Sequence, residues 1–163
     1  MKKIITIIIF IYLSGCASPY VRSVAFGGYN ESQYKKNEFE VIYDGNALTS
    51  YKRASDLCLL RCAELCKSSG NKYFVITASS NMTIYSQYVM PTYTSTTGSA
   101  TIVGNTISGN TQTTTTGGEI INMGKPIIRN TIVCTNEVPV EEFSFEAEFI
   151  LESITKKYNI SLK

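Results

Sequence analysis

The chain predicts an α+β fold: a small antiparallel sheet in the order β-α-β-β-α, two helices packed on the sheet, and a long Thr/Ser/Gly-rich hairpin loop. Three observations predict it. Phe39, Val41 and Tyr43 alternate with Glu38, Glu40 and Ile42, the period-two pattern of a half-buried strand. Apolar residues recur at helical spacing over Tyr51–Ser69 and again over Phe145–Tyr158. Two further segments, Tyr73–Tyr88 and Pro126–Glu137, are rich in the β-branched and aromatic residues that suit pleated backbone. One sheet layer with helices laid against it buries all of these apolar faces.

At the start, Lys2 and Lys3 precede an apolar run from Ile4 to Leu13, broken only by Thr6. Such a run, about ten residues, is too short to cross a bilayer core of about 30 Å as a helix, and is the length of a signal-peptide core. Residues 1–15 are therefore read as a leader. Small residues, Ser14 and Gly15, stand before Cys16. Leu13-Ser14-Gly15-Cys16 resembles the lipobox of bacterial lipoproteins. The resemblance implies that the Cys16 thiol takes a diacylglycerol, that the leader is cleaved before it, and that the new amine is acylated. Buried acyl chains contribute about 0.8 kcal/mol per methylene, so two or three of them hold a protein at a membrane lastingly. Ala17 and Ser18 follow, with no aspartate behind the cysteine, which resembles an outer-membrane sorting signal.

Residues 16–37 read as a lipidated N-terminus and tether, holding Pro19, Gly27, Gly28 and a polar cluster without periodicity. Residues 38–163 read as a single domain. Its first strand ends at Asp44-Gly45-Asn46, a turn signal. Thr49 or Ser50 can cap the helix that follows, and Gly70 stands where it stops. On that helix Tyr51, Ala54, Cys58, Leu59, Cys62, Leu65 and Cys66 share one side; Lys52, Arg53, Asp56, Arg61, Glu64 and Lys67 occupy the other. Tyr73–Tyr88 and Pro126–Glu137 are expected to pair antiparallel, and Val138-Pro139-Val140 breaks the ladder. The last helix places Ala147, Ile150, Leu151, Ile154 and Tyr158 on one stripe.

Between the paired strands the chain carries no charge from Tyr73 to Gly118. Residues 92–118 are mostly Thr, Ser, Gly and Asn, too polar to offset the entropy of ordering by apolar burial. They are read as a flexible insertion. Two sharper readings stand beside it: a hairpin arm that pairs with another chain through an unguarded edge, and a membrane-inserting stem, for which Ala100–Gly104 supplies local alternation.

Composition excludes several function classes. Without Lys2 and Lys3, the 15 basic and 13 acidic residues fall to parity, so nothing favours nucleic acid. Histidine is absent, and with it the commonest general base and metal ligand. No cofactor is implied, and no enzymatic chemistry can be argued. Cys58, Cys62 and Cys66 recur every fourth residue, which puts the outer two about 12 Å apart along a helix. A single zinc with bonds of about 2.3 Å cannot collect them, so no metal is expected. The three read as small buried hydrophobes. Because export places the domain where disulfides form, a bridge from Cys134 to one of Cys58, Cys62 and Cys66 stays open. Arg61 with Glu64 reads as a solvated i,i+3 pair, and Glu141, Glu142, Glu146 and Glu148 suit the start of the last helix.

Gly28-Tyr29-Asn30-Glu31-Ser32-Gln33, Val41 with Gly45-Asn46, Thr49-Ser50, Arg53, Leu59-Leu60-Arg61-Cys62-Ala63-Glu64-Leu65, Gly70 and Tyr73-Phe74-Val75 together resemble an uncharacterised family of small bacterial envelope lipoproteins. That family usually has alanine where Cys62 stands. The resemblance covers residues 27–77 and implies an envelope location; it carries no catalytic residues over. The expectation for function is thus a lipid-anchored cell-envelope protein that binds or scaffolds without catalysis. Its contacts are the membrane, through Cys16, and an envelope protein partner or a second copy. The alternative is a subunit of an envelope secretion or surface assembly that oligomerises through the Thr-rich segment.

Overall fold

In the computed structural model, residues 19–23, 25, 27–138 and 143–162 are described. Residues 1–15, read as a leader, lie outside them, as do Cys16, Glu141, Glu142 and the Pro139-Val140 part of the expected break. The elements run β1 (Gly28–Lys35), β2 (Glu38–Asp44), α1 (Tyr51–Ser68), β3 (Tyr73–Val89), β4 (Tyr93–Val103), β5 (Thr106–Thr116), β6 (Ile120–Thr135), β7 (Ser144–Glu146) and α2 (Ala147–Tyr158).

This corrects the predicted class. Among the described residues the protein is mostly β, 54% strand, built on a curled antiparallel half-barrel sheet with two helices, and the order is not β-α-β-β-α. Three segments account for the difference. Gly28–Lys35, read as tether, is strand β1; residues 93–116, read as flexible, form strands β4 and β5; and Ser144–Glu146 adds a short edge strand. None has an apolar alternation strong enough to see, because each is held chiefly by backbone hydrogen bonds to a neighbouring strand.

The chain divides into two compact units: residues 85–123, and the remainder. The larger unit holds the five-stranded sheet in the order β1-β2-β6-β3-β7. Strand β2 sits inside it, pairing with β1 (Glu31 opposite Val41) and with β6 (Val41 opposite Asn130). Its alternation is expressed directly: Phe39, Val41 and Tyr43 are buried while the residues between them are half-buried. At its end, Gly45 donates its N–H to the Pro126 carbonyl at 2.8 Å, and a Cβ there would stand 2.7 Å from the Pro126 ring.

Helix α1 begins at Ser50, whose hydroxyl accepts the Arg53 N–H at 3.2 Å. It ends at Gly70, whose φ of +80° reverses the chain. Its buried face is Ala54, Leu57, Cys58, Leu60, Cys62, Ala63 and Cys66. Leu57 and Leu60 belong to it and Tyr51 does not, so the face is rotated from the one periodicity suggests. The alanines and cysteines are small enough to bring the helix close to Val41, Tyr43, Ile128 and Ile132, with which they form one core. Helix α2 contributes Ala147, Leu151 and Ile154 to that core and ends at Asn159 in the left-handed region, φ 51°. Asp56 of α1 accepts hydrogen bonds from Lys157 and from the Tyr158 hydroxyl, tying the helices together.

The smaller unit is a hairpin. Strands β4 and β5 pair along their whole length, from Tyr93 opposite Thr116 to Val103 opposite Thr106. Gly104, with φ +61°, takes the first position of the two-residue turn, where a type II′ turn needs glycine. At the other end, Met90 donates its N–H to the Glu119 carbonyl at 2.9 Å and accepts from Gly118 at 3.1 Å.

Candidate interaction surface

Three features bear on function: a half-buried ion cluster, a buried set of thiols, and the hairpin. The cluster begins with Arg61 on α1. Its Nε and Nη2 donate to the two carboxylate oxygens of Glu31 on β1, at 3.3 and 3.2 Å, and its Nη1 donates to Glu64 at 2.8 Å. The guanidinium also stacks over the Tyr29 ring, 4.4 Å from its centroid, and the Tyr20 hydroxyl donates to Glu64. Tyr20, Tyr29, Arg61 and Glu64 line a hollow of about 310 Å³ together with Leu162. Burial works against the Arg61 charge, yet the hydrogen bonds and charges of Glu64 and Glu31 outweigh it and push the guanidinium pKa up. Burial, reinforced by Glu64, likewise raises the Tyr20 phenol. Every strong donor here already meets an acceptor, which is the signature of a structural cross-link from β1 to α1. The expectation of a solvated Arg61–Glu64 pair is corrected on this point. The missing partner, Glu31, lies thirty residues upstream (in the stretch read as tether), and no local spacing reveals it.

The thiols come next. Cys58, Cys62, Cys66 and Cys134 are all buried and free. Cys58 lies 3.7 Å from the Val41 carbonyl and 3.8 Å from that of Ile128, and its sulfur accepts from the buried Asn130 amide at 3.5 Å. Asn130 is satisfied on its other side by the Ser79 hydroxyl at 2.8 Å. Burial holds the Cys62 thiol well above its ordinary pKa, with the neighbouring Cys58 adding to the effect. Cys134 acts on both Cys62 and Cys66, raising each thiol, and Cys66 in turn lowers Cys134. Cys66 also donates to the carbonyls of Tyr73 at 3.2 Å and Asn71 at 3.5 Å, which favour its protonated form. A buried, protonated thiol is a weak nucleophile. Among the described residues, no group of three or more His, Cys, Asp or Glu side chains is placed to hold a metal ion.

The hairpin differs from both. Every residue of β4 and β5 is exposed, and among the described residues the two strands pair only with each other, which leaves one open edge on each. Strand side chains alternate between faces, and the register sorts these residues cleanly. One face carries Thr94, Thr96, Gly98, Ala100 and Ile102 opposite Thr115, Thr113, Thr111, Gly109 and Ile107. The other carries Ser95, Thr97, Ser99 and Thr101 opposite Thr114, Gln112, Asn110 and Ser108, with Tyr93 and Thr116 at one end and Val103 and Thr106 at the turn. All the serines and amides of the two strands fall on the second face; both glycines, the alanine and both isoleucines fall on the first. On the first face the hydroxyls of Thr96 and Thr113 meet at 3.2 Å, and those of Thr94 and Thr115 at 3.4 Å. In sequence the alternation shows only at Ala100–Gly104; the register that aligns β4 with β5 makes it visible throughout.

Comparison of the chain with protein families, with curated proteins and with solved structures gave no match.

Proposed function

We propose that this protein is a lipid-anchored cell-envelope subunit that works by non-catalytic assembly, its copies joining through the edges of the β4–β5 hairpin. One observation carries the reading: two long strands with open edges and no charged residue on either of them. Exposed edges in monomeric proteins are guarded by lysine, proline, bulges or covering segments, because unpaired N–H and C=O groups recruit other strands. None of those guards stands on β4 or β5, so the pairing partner belongs to the function. A second copy suits best. Acylation at Cys16 would hold copies on one membrane surface and raise their effective concentration for edge pairing. The outer membrane is the address that Ala17 and Ser18 favour.

The test is the mass of the full, acylated protein extracted from membranes in mild detergent, with and without residues 92–118. An oligomer that falls to monomer on deletion supports the assignment. A monomeric parent, or an oligomer indifferent to the deletion, overturns it. Membrane fractionation of Cys16→Ala tests the anchor in parallel: release from membranes with the leader retained or mis-cleaved is expected.

A further inference from the structure

We propose that the β4–β5 hairpin crosses the bilayer: in a ring of copies the hairpins pair edge to edge and close a β-barrel. The Thr94–Ile102 and Ile107–Thr115 face meets acyl chains, and the Ser95–Thr101 and Ser108–Thr114 face lines the lumen. This deepens the assembly reading above and rests on it.

Length comes first. Each strand has 11 residues. At about 3.3 Å per residue that is about 36 Å, and at the tilt of membrane barrels, about 40°, it spans about 28 Å along the membrane normal. The apolar band of such barrels is about 25 Å tall. Composition comes second. A spanning strand needs one apolar face and one polar face, and the register places every serine, asparagine and glutamine of the two strands on a single side. Glycine, alanine and isoleucine occupy the other, and threonine fills the rest of it. No charge lies between Tyr73 and Gly118, so none is brought into hydrocarbon.

Backbone chemistry then dictates the copy number. Unpaired edges cannot exist in hydrocarbon, so a single hairpin cannot insert alone. Since the smallest barrels have about eight strands, at least about four copies are required. Among the described residues no helix is long and apolar enough to cross a membrane.

Two neighbouring positions separate the faces. Thr111 lies near mid-strand on the acyl face and Gln112 on the lumen face; both are exposed, so arginine at either leaves the fold of the chain intact. The experiment places full, acylated protein in phosphatidylethanolamine–phosphatidylglycerol vesicles loaded with calcein, with a planar bilayer of the same lipids for conductance. The parent is expected to release dye and conduct with little ion selectivity, its lumen being uncharged. Thr111→Arg should cut release at least about tenfold, because a cation on the lipid face is strongly disfavoured at mid-depth. Gln112→Arg should still release dye and shift the channel toward anions. An intact oligomer in detergent that leaves vesicles sealed, or that responds alike to both substitutions, overturns the spanning hairpin and leaves the assembly reading standing. A monomer in detergent overturns both.

Discussion

Replacing Arg61 with alanine tests the claim that the β1–α1 cluster is a structural cross-link. The substitution removes two hydrogen bonds to Glu31, one to Glu64 and the stack on Tyr29. It leaves Glu31 to the Arg22 guanidinium at 3.8 Å and Glu64 to the Tyr20 hydroxyl, two carboxylates whose side chains are only 18% and 19% exposed, against 20% for Arg61 itself. Breaking a fully buried ion pair costs about 3–5 kcal/mol, much of it the penalty of leaving the partner charged and dry. With about a fifth of each side chain still wet, water recovers part of that. The expected loss is then about 2–4 kcal/mol, and the stack adds up to about 1 kcal/mol within that range. Urea unfolding of the mature chain carrying Cys16→Ala, followed by tyrosine fluorescence and far-UV circular dichroism, measures it. Two controls sharpen the result. Lys35→Ala breaks an exposed pair with Glu38 and should cost under about 1 kcal/mol. Replacing Glu31, Arg61 and Glu64 together with leucine should cost less than Arg61→Ala alone, since no charge is then stranded. A loss under about 1 kcal/mol for Arg61→Ala would refute the cross-link and return Arg61–Glu64 to surface decoration.

Acid should loosen the helix pair. Burial raises the Asp56 pKa, but hydrogen bonds from Lys157 and Tyr158 and the charges of Lys157 and Lys52 together outweigh it and leave the group below its ordinary value. A depressed carboxylate adds stability above its unfolded pKa and loses it as pH falls through the folded one. Unfolding free energy should therefore drop below about pH 4, with a smaller drop in Asp56→Asn; equal acid slopes in both proteins would count against the clasp. Controlled oxidation addresses the thiols. Peptide mapping after mild diamide treatment should recover Cys66 linked to Cys134, since each is the largest influence on the other's thiol. Recovery of Cys58 linked to Cys134 instead would contradict that pairing.

Much of the larger unit was legible. Strand β2 could be read from Phe39, Val41 and Tyr43, and α1 from its spacing and its Ser50 cap, because burial on one side of a regular element leaves a periodic trace. The cysteines could be placed inside for the same reason. Strand β1 left no such trace, since most of its side chains face water and its place comes from pairing with β2. The Arg61 cluster was hidden with it: half of the site is Glu31, which meets α1 only once β1 is laid beside β2.

The sequence by itself determined the two helices, the alternation of β2 and the uncharged stretch before Gly118. Those are local properties, written in side-chain type and spacing along one segment. Only the tertiary structure decided that the sheet has five strands, that Glu31 of β1 meets Arg61 of α1, and that residues 93–116 are a hairpin with two distinct faces. Strand pairing joins backbone groups that every residue but proline possesses, so which segments meet, and in what register, is not spelled out by either segment alone.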